Sequence, residues 1–277
     1  MATWHDTPPA VPRATARGWL RVAVRAPLLA GLTFGGLALL LALRLPERAI
    51  WGLHRPVTPW ITQGVCRGAL AILGVRLGIE GRPMRGRGAL VANHAGWLDI
   101  FTLNACDRIY FISKAEVARW PGIGWLARAT GTLFITRDPR AARRQQDLLE
   151  TRLRAGHRLL FFPEGTSTDG RRVLPFKTTL FAAFFLDGLA QETAIQPVSV
   201  SYRAPAGQDP RFLGWWGDMA FGPHLLKLMA SGGRSEARVT FHPEIPVAQS
   251  GGRKALAATA EAAVRGPVDR ATGHGPH

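Results

Sequence analysis

The sequence predicts an α/β fold: a mixed, largely parallel sheet flanked by helices, preceded by N-terminal membrane-anchoring helices. Three observations carry this expectation. One long apolar stretch stands near the N-terminus, and from about Arg82 onward short apolar runs alternate with helical stretches. Several of those runs end in polar turns rich in His, Asp, Glu, Gly and Thr, the arrangement that open α/β sheets use at their functional edge.

Taken in order, the opening residues, with Pro8, Pro9 and Pro12, read as a disordered lead-in. Arg13, Arg17, Arg21 and Arg25 then recur every four residues, a spacing that aligns them in one stripe on a helix. Residues 26–43 follow, 18 positions whose only polar side chain is Thr33. As a helix they reach about 27 Å, close to the hydrocarbon thickness of a bilayer. The run is too long for a signal peptide, and Leu45-Pro46-Glu47-Arg48 is no small-residue cleavage site. Arginines flank both ends, with Arg44, Arg48 and Arg55 on the far side. A hairpin completed by the apolar residues 57–77 keeps both basic flanks on one side of the membrane and is preferred to a single span.

Beyond the anchor, residues 88–92 (GALVA) read as a buried strand, with a helix from Trp97. Residues 108–112, 132–135 and 158–162 are further strands. Between the last two, Asp138 caps and Pro139 opens a helix that runs to Arg154 and stops at Gly156. Residues 195–202 and 237–241 supply two more strands. The expected division is an anchoring segment over residues 1–80, a catalytic domain over 81–264, and a disordered Gly/Pro-rich tail over 265–277.

Composition narrows the function classes. The chain of 277 residues is 47% hydrophobic and 19% charged, so part is lipid-like and part globular. Its net charge is +16, and 31 of the 35 basic residues are arginines scattered through every segment. No zinc-finger spacing, RNP-like run or basic arm accompanies that charge, which argues against nucleic acid as a partner and leaves anionic membrane lipids or an acidic substrate. Cys66 and Cys106 lie in apolar surroundings without paired spacing, so neither a disulfide framework nor a thiolate metal site is expected. No Gly-x-Ser-x-Gly elbow occurs, and His224 and His242 stand alone, which disfavours a serine hydrolase and a zinc enzyme.

Three constellations can carry chemistry. His94 follows the strand ending at Ala92, and Asp99 falls five residues later in the first turn of the next helix. A carboxylate there can reach one imidazole nitrogen, fix the tautomer, and support the imidazolium formed when the other nitrogen takes a proton. Phe161-Phe162-Pro163-Glu164-Gly165-Thr166-Ser167 ends another strand, where Glu164 either binds a hydroxyl or ties the loop together. Residues 131–137 place Arg137 just past a strand, to grip an anionic head group or to pair with Asp138.

Together these segments resemble the glycerolipid acyltransferase family typified by 1-acyl-glycerol-3-phosphate acyltransferase. The resemblance spans residues 75 to 245 or so and rests on four ordered blocks. They are His-x4-Asp at 94–99, Gly-x-x-Phe-Ile-x-Arg at 131–137, Phe-Pro-Glu-Gly at 162–165, and apolar-Gln-Pro-Val at 195–198. The resemblance implies a membrane-associated α/β enzyme at the inner membrane, with its catalytic domain on the cytoplasmic side and no metal or organic cofactor. It implies acyl transfer from a thioester of acyl-carrier protein or coenzyme A to a lysolipid hydroxyl. His94 then deprotonates the hydroxyl, Asp99 orients His94, Lys114 and Arg137 face the acceptor's polar head, and Glu164 and Gly165 shape the acceptor site. On chemical grounds, backbone amides near Gly165 are the expected oxyanion donors.

One departure bears on the acceptor. The lysophosphatidate enzymes of the family usually follow Glu-Gly-Thr with a phosphate-binding arginine, whereas here Thr166 is followed by Ser167-Thr168-Asp169-Gly170 and then Arg171-Arg172. That pattern looks like the branch that acylates lyso-ornithine lipid, whose head carries an amine and a carboxylate. Asp169 is then expected to pair with the amine, with Ser167 beside it. Alternatively, Arg171 or Arg172 replaces the missing arginine and lysophosphatidate is the acceptor.

Overall fold

The computed structural model describes residues 4, 6–9, 14–120, 122–136, 138–185 and 188–273. Helix α1 (Ala16–Trp51) starts at Thr15, whose hydroxyl oxygen accepts from the Gly18 N–H at 3.1 Å. Its 36 residues extend about 54 Å, and it is the one helix among the described residues long and apolar enough to cross a membrane. Leu20, Leu28, Phe34, Leu39 and Leu45 are exposed along it. After a turn, α2 (Thr58–Leu73) returns alongside, with Pro59 in its first turn. Close approach comes from glycine on both partners. A Cβ on Gly36 would meet Val65 Cγ2 at 2.3 Å, and one on Gly68 would meet Leu32 Cδ2 at 2.7 Å. Helices α1 and α2 thus pack as a helical hairpin. Its two arms differ, since α2 buries Gln63, Cys66, Ala69, Leu70 and Leu73 against the domain.

The arginine stripe has a second use. The Arg25 guanidinium donates to Met229 O at 2.9 Å and Ser231 O at 2.7 Å, and Arg21 donates to Ala230 O at 3.3 Å. These carbonyls end helix α7 (Phe221–Ala230), so half the stripe caps another helix. Arg13 lies outside the described residues.

The sheet is built from β1 (Val75–Glu80), β2 (Gly88–Ala92), β3 (Ile109–Lys114), β4 (Leu133–Ile135), β5 (Arg158–Phe161), β6 (Ala194–Arg203), β7 (Ser235–Phe241) and β8 (Ile245–Pro246). Its order is β1-β7-β6-β2-β5-β3-β4, with β8 also on β6. All pairs are parallel except β6 with β7 and with β8. Central β2 is buried at all five residues and reads as an unbroken apolar run, as a strand covered on both faces must. Helix α3 (Leu98–Cys106) follows β2, α4 (Ile123–Thr130) leads into β4, α5 (Ala142–Arg154) leads into β5, and the short α6 (Leu189–Glu192) precedes β6. Helix α8 (Arg253–Thr272) closes the chain's order.

Three boundaries differ from expectation. Residues 75–80 are not part of the anchor: they form β1, paired with β7 from Val75↔Ser235 to Glu80↔Thr240. The tail expected to begin at 265 is helical to Thr272, despite Gly266 and Pro267. Leu256, Ala257, Ala260, Val264 and Val268 form its buried stripe, and apolar burial outweighs one lost backbone donor. Residues 274–277 lie outside the described residues. At the other end the lead-in is packed where described: the Trp216 indole N–H donates to Asp6 O at 3.0 Å, and the Trp4 and Trp216 rings lie 5.6 Å apart.

Candidate active site

Strands β2, β5 and β3 are parallel neighbours, so their C-terminal ends deliver residues 93–99, 162–168 and Lys114 to one edge. The His94 Nδ1 to Asp99 Oδ2 distance is 2.7 Å. That same oxygen accepts from the Ala95 N–H at 2.7 Å and the Gly96 N–H at 3.0 Å. Its companion Oδ1 accepts from the Tyr202 hydroxyl at 2.7 Å. This fully buried side chain thus meets two backbone N–H groups, the Tyr202 hydroxyl and the His94 ring at the N-terminus of α3. An ionised carboxylate only accepts, so Nδ1 carries the proton and the Nε2 lone pair is left for an incoming one. The His94 ring stacks on Phe162, centroids 3.9 Å apart, and keeps 22% of its side chain accessible.

The backbone of His94 is held as firmly as its ring. Its N–H donates to Glu164 Oε1 at 2.7 Å, and its carbonyl accepts from the Thr168 N–H at 2.9 Å. The second Glu164 oxygen accepts from the Leu174 N–H at 2.9 Å. Of the two roles open to Glu164, the geometry fits tying the loop: it is 1% exposed and both oxygens are engaged. Burial pushes its carboxyl up to about 8, against the Leu174 and His94 N–H groups that favour the anion.

Lys114 donates to Gly165 O at 2.7 Å, which joins the β3 edge to the same turn. Gly165 has φ 71°, and a Cβ there would lie 2.8 Å from Lys177 Nζ, so glycine is required and a second lysine stands at the turn. Its own N–H donates to Phe162 O at 3.1 Å, which removes that amide as an oxyanion donor. Thr166 and Ser167 are partly exposed beside it. Arg137 lies outside the described residues.

Over residues 77–201 the sequence matches the family described as Acyltransferase. It is 60% identical across 260 residues to lyso-ornithine lipid O-acyltransferase of Rhodobacter capsulatus, covering 94% of both chains. The chain belongs to the acyltransferase family. The acyltransferase is also 36% identical to lyso-ornithine lipid O-acyltransferase of Pseudomonas aeruginosa, covering 89% of this chain and 93% of that one. A 1-acyl-sn-glycerophosphate acyltransferase of Thermotoga maritima shares the fold, with a TM-score of 0.66 at 19% identity over 94% of this chain and 98% of that one.

The acyltransferase corrects the expected role of Asp169. That side chain is 2% exposed; Oδ1 accepts from the Arg171 N–H at 3.0 Å and Oδ2 from the Arg172 guanidinium at 2.9 Å. It is spent inside its own turn and is not presented to an amine. The guanidinium of Arg171 donates in turn to Thr272 O at 2.8 Å, so α8 braces the same loop.

Sequence reasoning missed Tyr202, Thr168 and Phe162. Tyr202 reaches Asp99 only because β6 pairs with β2, a relation with no local signal. Thr168 and Phe162 flank Glu164 in sequence, and that adjacency to the motif was the available clue. Of the two histidines that stand alone in the sequence, His224 is 1% exposed and accepts from the Trp97 indole N–H at 3.0 Å; burial pushes it down to about 3. The Cys106 thiol is pushed up to about 12 by burial, which suits a packing residue and not a nucleophile.

Proposed function

We propose that this acyltransferase moves a fatty acyl group from a thioester of acyl-carrier protein or coenzyme A to the hydroxyl of lyso-ornithine lipid, at the cytoplasmic face of the inner membrane. The observation that carries the acceptor is the likeness, over nearly the whole chain, to a lyso-ornithine lipid O-acyltransferase. The net charge of +16 suits an acidic donor and anionic membrane lipids alike.

In this reading His94 Nε2 removes the proton from the acceptor hydroxyl as its oxygen attacks the thioester carbonyl. Asp99 holds the resulting imidazolium, so no acyl-enzyme is needed. Collapse of the tetrahedral intermediate breaks the C–S bond, and His94 returns the proton to the departing thiolate. Glu164 and Thr168 act by holding the backbone of His94. Lys114, beside Gly165, supplies positive charge for the acceptor's carboxylate, and Thr166 and Ser167 line the same turn; Arg137 is assigned to the same head group.

The test presents membranes containing the protein with labelled acyl thioester and, in parallel, lyso-ornithine lipid and lysophosphatidate. Ornithine lipid is the product expected by mass. Phosphatidate as the dominant product, with the ornithine acceptor untouched, would move the assignment to the lysophosphatidate enzymes.

A further inference from the structure

A cavity of about 320 Å³ lies between the start of α1, helix α7 and the loop after β6, and none of the residues lining it holds His94 or Asp99. Phe212 and Leu226 make part of its wall apolar, while Arg21, Lys227 and Ser231 make it polar. No acid lines it. Lys227 is 7% exposed; its ammonium donates to Phe212 O at 2.6 Å and lies 4.6 Å from the Phe212 ring centroid, and no carboxylate among the described residues pairs with it. The acid that acts on it electrostatically is Asp209, whose Oδ2 is already 3.0 Å from the Arg211 guanidinium. Burial accordingly pushes Lys227 down to about 8. Two cations beside one cavity without an acid are a costly arrangement in isolation, and an anion between them relieves it. The volume sits at the small end of ligand cavities, enough for a head group but not for a long chain.

The position indicates where such an anion comes from. Trp19, Leu20, Val24 and Leu28 are exposed on the first turns of α1, the same turns that bring Arg21 to the cavity. We propose that the cavity binds a phosphate-bearing anion between Arg21 and Lys227, presented as the head group of an anionic phospholipid lying against α1. The lipid source rests on the membrane reading of α1; the anion site does not, and neither depends on the acceptor assigned above.

The test is native mass spectrometry of the full chain in neutral detergent with phosphatidylglycerol, phosphatidylcholine or inorganic phosphate. One phosphatidylglycerol per chain is expected, retained at least tenfold better than phosphatidylcholine. Lys227→Met should lower that retention tenfold or more, as should Ala206→Trp, which fills the cavity from an exposed position without touching a charge. Arg48→Gln, on the exposed far end of α1, should leave it unchanged and so exclude general charge attraction. Circular dichroism reports folding; if Lys227→Met does not fold, Ala206→Trp decides. Thermal protection by inorganic phosphate that both variants abolish, with no lipid retained, would keep the anion site and overturn the lipid source. Retention of phosphatidylglycerol unchanged in the variants would overturn both.

Discussion

The Tyr202 hydroxyl donates to Asp99 Oδ1 at 2.7 Å and stands 3.1 Å from Thr102 Oγ1, so the carboxylate that orients His94 is itself oriented from a neighbouring strand. Removing that hydroxyl with Tyr202→Phe takes one hydrogen bond from a buried anion, a change of about 1.5–3 kcal/mol. Part of it appears as lost positioning: kcat is expected to fall about tenfold with KM for the thioester unchanged. A kcat equal to wild type in a folded variant would remove Tyr202 from the account.

Asp99→Asn acts one step closer to the reaction. The amide cannot support an imidazolium, and it puts a donor where Oδ2 now accepts three N–H groups. Acyl transfer should drop by at least about 10²-fold with membrane association kept. Steady-state turnover with saturating thioester measures this, and near-normal turnover would rule out the assigned role.

For Glu164 the prediction concerns stability. Its carboxyl is raised to about 8 in the fold, above its ordinary 4.5, chiefly by burial. Between those values the native state holds a proton that the unfolded chain has released. Stability from this group is thus fully present below 4.5 and is lost as pH rises through about 8. Unfolding midpoints in detergent should decline across that window for wild type and decline less for Glu164→Gln. Equal slopes would contradict the assignment.

Asp169→Asn is expected to loosen the turn and leave acceptor choice alone, because the carboxylate is occupied by Arg171 and Arg172. A stability loss of about 1–2 kcal/mol should accompany an unchanged ratio of kcat/KM for lyso-ornithine lipid over lysophosphatidate. A shifted ratio at unchanged stability would mean that Asp169 meets the acceptor after all.

Anchoring is better tested by substitution than by truncation, since deleting residues 1–80 would also take β1 and the buried face of α2. Leu28 and Leu39 are exposed on α1, and Leu28→Lys with Leu39→Lys should cost about 2.5–3.5 kcal/mol each if both lie in hydrocarbon. Release of the double variant from membranes by alkaline wash is expected, and full retention would place the anchor elsewhere.

What the sequence could show follows from how local each interaction is. Strand β2 and the His94–Asp99 pair were legible because an apolar run and a five-residue spacing lie within one turn of chain. The inward turn of Glu164 was half legible: its motif marked the loop, but its choice between substrate and backbone depends on Leu174 and on β2. Tyr202 and the docking of Trp4 on Trp216 were invisible, since they join segments more than 100 residues apart. At α8, the Gly266-Pro267 pair masked a buried stripe, and Ser199 Oγ donates to Val264 O at 2.8 Å close to that proline. Local breaker signals lost there to packing against β6.

The central claim is that His94 Nε2 takes the proton from the lyso-ornithine lipid hydroxyl as the thioester is attacked. Its most direct test is the single-turnover rate of ornithine lipid formation by wild type and His94→Ala in matched membranes, with labelled acyl thioester in excess. The account predicts a loss of about 10²–10⁴-fold for His94→Ala at unchanged protein and membrane content. A rate within a few-fold of wild type would contradict it.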